Sequence, residues 1–177
     1  MSFRFQTPRL ILRPWLRRDR ASLERMTSDG EMMRFINGRP WTDEEVDELI
    51  ARQHRHLENH GICFGAAELI GTGEVVGLIG MQPMVDGDFE IGWWIWRDHW
   101  RQGLATEAIR PFVAHATAMG LSHVWAVIDP PNTASIRVAE KLGMRRDRKV
   151  SIDELLPGRG DFMVFLYKLD LARAQAT

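Results

Sequence analysis

Apolar residues recur along this chain in two rhythms, and each predicts a different kind of element. Short apolar runs bounded by turn residues come first. Leu10, Ile11 and Leu12, flanked by Arg9 and Arg13, predict a strand ended by Pro14. Cys63–Leu69 and Val75–Met81 predict two more strands, joined by the turn Gly71-Thr72-Gly73. Asp86-Gly87 marks another turn, and Phe89–Trp96 reads as the next strand. His123–Ile128 is a further apolar strand, and Arg145–Val150 with Phe162–Leu169 predict a last pair around a polar loop.

The second rhythm has a period near 3.6. Leu104, Ala108, Ile109, Phe112 and Ala116 fall on one stripe, which predicts a helix over Gly103–Met119 closed by Gly120. Pro111 lies inside it, lacks an N–H, and predicts a kink or an early stop. Thr42 followed three residues later by Glu45 is a capping-box pattern. It predicts a helix running to about Asn59 and stopped near Gly61. Shorter helices are predicted over Asp19–Met26, with Asp19 as its cap, and over Ala134–Leu142, closed by Gly143. Segment 27–41 is turn-rich and reads as irregular. The resulting order is β-α-α-β-β-β-α-β-α-β-β. With no internal repeat or linker, it predicts one domain over residues 1–177.

Composition narrows the picture modestly. The chain is 45% hydrophobic and 27% charged, as in soluble globular proteins. A net charge of -1 gives no electrostatic case for nucleic acid or a membrane surface. No apolar run approaches membrane-spanning length and the N-terminus has no long apolar stretch, so a cytoplasmic protein is expected. The single cysteine, Cys63, excludes an internal disulfide, and its apolar setting predicts a buried thiol. His56 and His60 are spaced i, i+4, but no further metal ligands accompany them. They read as exposed helix residues, and no metal is expected. Tyr167, the one tyrosine, reads as a packing residue.

The chemistry concentrates in Glu90–Ala108, EIGWWIWRDHWRQGLATEA. A strand runs through a glycine-containing loop into a helix. Such a junction aims several backbone N–H groups at one point, at the positive end of a helix dipole. That is an anion site suited to a phosphate-bearing ligand, although an ordinary helix start has the same outline. A second stretch, PNTASIRVAEKLGM (Pro131–Met144), decides between them.

Together, these stretches resemble the GNAT superfamily of N-acetyltransferases, in its ribosomal-protein-alanine acetyltransferase-like branch. The resemblance begins at TPRLILRPW (Thr7–Trp15), passes through VVGLIGMQ, EIGWWI and WRQGLATEA, and ends with NTASIRVAEKLGM. It implies an α/β (α+β) fold, with a twisted, mostly antiparallel mixed sheet splayed at its centre and helices on both faces. It also implies acetyl-CoA as co-substrate and an amine as acceptor.

The resemblance assigns residues as follows. The loop from Arg101 through Gln102, Gly103, Leu104 and Ala105 to Thr106 would wrap the CoA pyrophosphate. The leading Gln or Arg usual before that loop is Trp100 here, as is common in this branch. Trp94, Ile95 and Trp96 would lend their backbone to the pantetheine arm, with an amide near Trp94 polarising the thioester carbonyl. Strand alternation puts Trp93 on one face, Trp94 and Trp96 on the other. Asn132 would contact the arm, in addition to suiting a helix N-cap, and Ser135 would assist the departing thiolate. Many members use a tyrosine seven residues after that asparagine; Ala139 stands there. Glu90 is the first candidate base, Asp88 the backup, and Glu107 reads as a dipole partner in the helix's first turn.

The expected acceptor is a small-molecule amine or a protein N-terminus, with its pocket between the segments Asp29–Trp41 and Ser151–Asp161. An open groove would suit a peptide; a closed pocket with one or two carboxylates would suit a small amine. A homodimer is the assembly the resemblance suggests. The alternative from another class is a non-catalytic acyl-CoA-binding sensor or scaffold. The presence of Glu90 and Ser135 favours the enzyme.

Overall fold

The computed structural model describes residues 3–36, 38–155 and 162–171. Among them are eight strands: β1 Phe5–Gln6, β2 Leu10–Arg13, β3 Phe64–Leu69, β4 Val75–Pro83, β5 Phe89–Ile95, β6 His123–Ile128, β7 Arg145–Ser151 and β8 Met163–Asp170. Six helices accompany them: α1 Arg20–Ser28, α2 Gly30–Met33, α3 Asp43–His60, α4 Leu104–Ala118, α5 Thr133–Lys141 and α6 Ile152–Leu155. The strands form one sheet in the order β1-β2-β3-β4-β5-β6-β8-β7.

Every neighbouring pair is antiparallel except β5 and β6, which run parallel. That pair meets only at Glu90 and Trp125. Beyond it β5 stays on β4, from Pro83↔Phe89 to Gly77↔Ile95, while β6 stays on β8 from His123↔Asp170 to Ile128↔Phe165. The sheet therefore forks at its centre, as the splayed GNAT-type expectation requires.

Two faces of the sheet bury two sets of helices. Leu104, Ala108, Ile109, Phe112 and Ala116 of α4 pack with Ile79, Ile91, Trp93 and Ile95 on one face, joined by Ala139 of α5. On the other face Leu23 and Met26 of α1 and Val46 and Leu49 of α3 pack with Phe64, Ala66 and Leu78. Trp94 and Trp96 lie against this second cluster, opposite Trp93, so the alternation read from the sequence holds. Around α6, Trp125, Val150, Ile152, Leu155, Val164 and Leu166 form a third cluster. Central β4 is buried on both faces, which explains its continuous apolar run.

Several expectations are corrected. Segment 27–41 is not wholly irregular: Asp29 accepts from the N–H groups of Glu31 and Met32 at 2.9 and 3.2 Å and starts α2. Asp19 does not cap α1. Its carboxylate accepts instead from the Arg13 guanidinium at 2.6 and 3.0 Å and from Leu16 N–H at 2.7 Å. Arg13 also binds Glu68, and the bond to Asp19, opposed by burial, raises its pKa further. Short β1 and α6 carry too little pattern to be read beforehand. Helix α4 continues through Pro111 to Ala118 and does not stop early. Thr42 and Glu45 do form the capping box, and Gly61 ends α3 in the left-handed region at φ 71°.

Close strand approach dictates glycine at Gly80. A Cβ there would overlap the Cys63 carbonyl oxygen and lie 2.8 Å from Phe64 Cα. Both are backbone atoms that cannot yield without breaking the β3–β4 register. Gly80→Ala is expected to cost about 2 kcal/mol or more, the overpacking range, in a urea unfolding titration. Gly71→Ala, whose Cβ would meet nothing within 4 Å, should change stability by less than about 0.5 kcal/mol.

Candidate active site

The loop between β5 and α4 begins with a short 3-10 turn over Arg97–His99. The Trp100 indole N–H then donates to the Ile95 carbonyl at 2.6 Å and folds the loop back onto β5. Arg101 and Gly103 both adopt positive φ, 61° and 78°. This brings successive N–H groups round to one side, the arrangement that makes an anion-binding nest. Helix α4 starts at Leu104, and its first-turn N–H groups have no helical acceptors. Leu104 is buried, so within the loop its backbone alone can serve a ligand; Arg101, Gln102 and Gly103 are exposed.

Glu107 is occupied. It accepts from Thr7 Oγ1 at 2.6 Å, from Arg9 N–H at 3.0 Å and from Arg9 Nε at 2.7 Å. Burial works to raise its pKa, but these bonds outweigh it and the net shift is downward. The carboxylate thus ties the β1–β2 turn to the first turn of α4.

The ladder decides which β5 backbone groups face the fork. Trp96 N–H donates to Val76 O at 2.8 Å, and the Trp94 carbonyl lies on the β4 side, 2.6 Å from where a Gly77 Cβ would stand. Antiparallel strands alternate residues that turn their backbone toward and away from a given partner. The backbone of Trp93 and Ile95 therefore faces the β6 side. The expectation that Trp94 and Trp96 present theirs is corrected: β4 already holds them. Of the three expected residues, Ile95 alone is aimed at the fork, and its carbonyl serves Trp100, leaving its N–H.

Across the fork, Asn132 Oδ1 accepts from Ser135 N–H at 3.1 Å and caps α5. Both side chains are half-buried. Ala139 is fully buried in the core cluster, so that position faces packing and not the fork. Tyr167 is likewise buried at 5% exposure, and burial raises its pKa.

Glu90 sits where β5 leaves β6. Gln82 Nε2 donates to Glu90 Oε2 at 3.2 Å, Gln53 Nε2 donates to Gln82 Oε1 at 2.9 Å, and Phe64 N–H donates to Gln53 Oε1 at 2.8 Å. This chain runs from a strand backbone through two buried amides to the carboxylate. Each amide spends its oxygen and one N–H inside, as buried polar groups must. Sequence reasoning missed both glutamines. The signal was present: Gln53 interrupts the buried stripe Val46, Leu49 of α3, and Gln82 ends the apolar run of β4.

Glu90 lines a chamber of about 620 Å³ with Arg52, His56 and His60 of α3, residues of the β4–β5 turn, Val127 and Leu155. Few described residues of the two segments expected to form the acceptor pocket line this chamber. Asp29 pairs with Arg97 at 3.2 Å and Trp41 packs edge-on against Trp94 at 5.8 Å, away from the chamber lining. From the other expected segment Leu155 contributes, while Asn37 and residues 156–161 lie outside the described residues.

His56 is not the exposed residue the sequence suggested. It is half-buried, and its Nδ1 is buried without a partner. Burial, reinforced by Arg52, His60 and Arg55, lowers its pKa. His60 is exposed as expected. No group of three or more metal-ligating side chains occurs among the described residues. The backup base fares poorly: Asp88 accepts from Trp125 Nε1 at 2.7 Å and pairs with His123 Nε2 at 3.0 Å. The Trp125 bond, helped by His123 and opposed by burial, lowers its pKa and weakens it as a proton acceptor. Cys63 is buried, and burial pushes its thiol up to about 12, so it offers no nucleophile.

Residues 9–145 match the family model described as an acetyltransferase (GNAT) domain. The chain is 28% identical over 174 residues to the uncharacterized N-acetyltransferase p20 of Bacillus licheniformis, covering 96% of each. Among solved structures, a GNAT-family acetyltransferase from Bacillus anthracis superposes with a TM-score of 0.76 at 26% identity, over 96% of this chain and 99% of that one. RimJ of Mycobacterium smegmatis, solved in complex with CoA-disulfide, shares the fold with a TM-score of 0.76 at 19% identity, over 97% and 88%.

The low pKa of His56 has a consequence for stability. In the unfolded chain the ring takes up a proton near 6.5, whereas the folded protein resists it. Below that pH the unfolded state binds more protons, so acidification erodes stability. The His56→Gln variant removes this contribution. Between about pH 7.5 and about pH 5.5 the wild type should lose more stability than the variant, read from urea midpoints at each pH.

Proposed function

The chain belongs to the GNAT acetyltransferase family, and on that footing we propose an N-acetyltransferase that moves an acetyl group from acetyl-CoA directly to a primary amine within a ternary complex. The observation that carries this reading is the fork itself: a half-buried, hydrogen-bonded carboxylate, Glu90, stands where β5 and β6 part.

The residues suit acetyl-CoA. The N–H groups from Arg101 to Thr106 gather at a helix N-terminus, where pyrophosphate charge is welcome. Gly103 keeps a side chain out of that approach; a Cβ there would come within 3.8 Å of an Arg9 nitrogen alone. Trp93 and Ile95 offer the strand edge to which an amide-bearing arm can pair. Asn132 keeps its side-chain N–H₂ for the arm after capping α5 with its oxygen. The family's use of acetyl-CoA is consistent with the CoA-disulfide held by RimJ.

Acetyl-CoA supplies an electrophilic thioester carbonyl and a thiol leaving group. The protein's part is positioning and charge. An N–H of Trp93 or Ile95 stabilises the charge that develops on the carbonyl oxygen, usually the largest catalytic contribution. The acceptor arrives as an ammonium, with a pKa of about 8 for an α-amine or about 10.4 for lysine. Glu90 accepts its proton, directly or through water. The Gln53–Gln82 relay holds the carboxylate in place. Ser135 donates its hydroxyl to the departing thiolate, which needs no strong acid because a thiol pKa is about 8.5.

The test combines free-thiol release from acetyl-CoA over a broad amine panel with calorimetric CoA binding. Glu90→Gln is expected to lower kcat/KM about 100-fold and to remove the acid limb of the pH–rate profile. Ser135→Ala should lower kcat less, by about 10-fold, with CoA affinity nearly kept. An unaltered pH profile in active Glu90→Gln would remove the base assignment. CoA binding without turnover on any amine would favour a sensor, and no CoA binding would overturn the reading as a whole.

A further inference from the structure

Asp129 directly follows β6, one residue beyond Ile128. Pro130 and Pro131 come next, and the Asn132 N–H donates to the Asp129 carbonyl at 2.9 Å, closing a turn that leads into α5. An aspartate at the start of a turn ordinarily sets its carboxylate on the N–H groups of the residues that follow. Here the next two residues are prolines and have no N–H to give. Among the described residues no group donates a hydrogen bond to the Asp129 carboxylate, although the residue is half-buried. Burial raises its pKa, and Arg34, just after α2, opposes that through its charge alone.

The pattern of β6 says which way this carboxylate points. Val124, Ala126 and Ile128 pack on the α4–α5 face, and Trp125 and Val127 on the other. A residue before proline is held to extended backbone, so the alternation carries through Asp129 and turns it to the face of Trp125 and Val127. The pull of Arg34 agrees, since α2 packs on that face through Met32. Counting four residues along each parallel strand from the Glu90–Trp125 pair puts Asp129 level with Trp94, about 13 Å along the fork. Glu90 stands at the closed end and Asp129 at the open end, on the same face. The backbone of Trp93 and Ile95, which faces the fork, flanks the level of Asp129. A half-desolvated carboxylate without a donor carries a cost that an arriving N–H donor offsets.

Resting on the acetyltransferase reading above, we propose that Asp129 is the residue that receives the acceptor as a cation, holding its ammonium across the fork from the Trp93 and Ile95 backbone. The donor arm then comes from the α4–α5 face, where the loop before α4 and Asn132 lie, and the acceptor from the opposite face. Asp129 selects amines that are charged on arrival and sets where they wait. It takes no part in bond making, and the proton still leaves through Glu90. The paired prolines give the site its rigidity: they deny the carboxylate a local partner and fix the backbone that carries it.

The test compares kcat/KM for n-butylamine, a cation at neutral pH, with that for methoxyamine, which is uncharged there. Asp129→Asn should lower the n-butylamine value about 10- to 100-fold, mainly through KM, the worth of a charged hydrogen-bonded contact. The methoxyamine value should fall far less, and Asp129→Glu should recover part of the loss. Two readings need no turnover. In the CoA-bound protein, n-butylammonium should lower the Asp129 carboxylate pKa followed by carbon NMR, while n-butanol, its uncharged counterpart, should not. The urea midpoint of Asp129→Asn should stay or rise, because no protein donor depends on the carboxylate. A falling midpoint would mark a structural carboxylate and overturn the proposal. An equal loss on both amines, or a loss on neither, with an Asp129 pKa that n-butylammonium leaves unmoved, would overturn it too and leave the acetyltransferase reading standing. No turnover on any amine and no CoA binding would overturn both.

Discussion

Parallel strands β5 and β6 share one residue pair and then separate, and much of the rest of the molecule serves to keep them apart. Seven register positions hold β5 to β4, and six hold β6 to β8. Each strand is therefore fixed by its outer neighbour and has no freedom to zip inward. Helices α4 and α5 on one face, and α1 to α3 on the other, bury the outer surfaces of both halves. The edge left open carries N–H and C=O groups that want partners, since an unmade buried hydrogen bond costs about 1–3 kcal/mol. Trp100 satisfies one of them, the Ile95 carbonyl, from the protein's own loop. The others are what the fork offers to a ligand.

The polar groups around the fork are fixed by the same logic of mutual satisfaction. Glu90 does not stand alone in an apolar cleft; it ends a line of amides that begins at the Phe64 N–H. Rotating any member would strand a buried donor or acceptor in another. On the same face but nearer the β1 edge of the sheet, Arg13 holds Asp19 and Glu68 together in a nearly buried cluster just ahead of α1. Such networks are costly to leave half-made, which gives them a single geometry.

Much of this was legible in the sequence because it rests on local signals. The capping box at Thr42–Glu45, the left-handed glycine at Gly61 and the apolar stripe of α4 each depend on residues within a few positions of one another. The Asn132 cap and the positive-φ loop before α4 are of the same kind. What was not legible depends on contacts between distant elements. Asp19 reads as a cap until Arg13 and Leu16 claim it. Asp88 reads as a spare carboxylate until β6 brings His123 and Trp125 beside it. Whether Trp93 or Trp94 turns its backbone to the fork is a matter of register with β4, which residue type does not encode. His56 looked like surface because helix periodicity does not reveal that α3 ends over a chamber.

Glu107 gathers Thr7 and Arg9 to the first turn of α4. The opening residues of the chain are thereby fastened to the loop that would carry the donor's phosphates, more than ninety positions away. A helix N-terminus ordinarily frays, because nothing within the helix holds its first turn. Here that end is tied down by Thr7 and Arg9 through Glu107. Thr7 and Arg9 act as a strut: without them the loop before α4 would lose its external brace. In this fold the turn between β1 and β2 is part of the mechanics of the loop before α4.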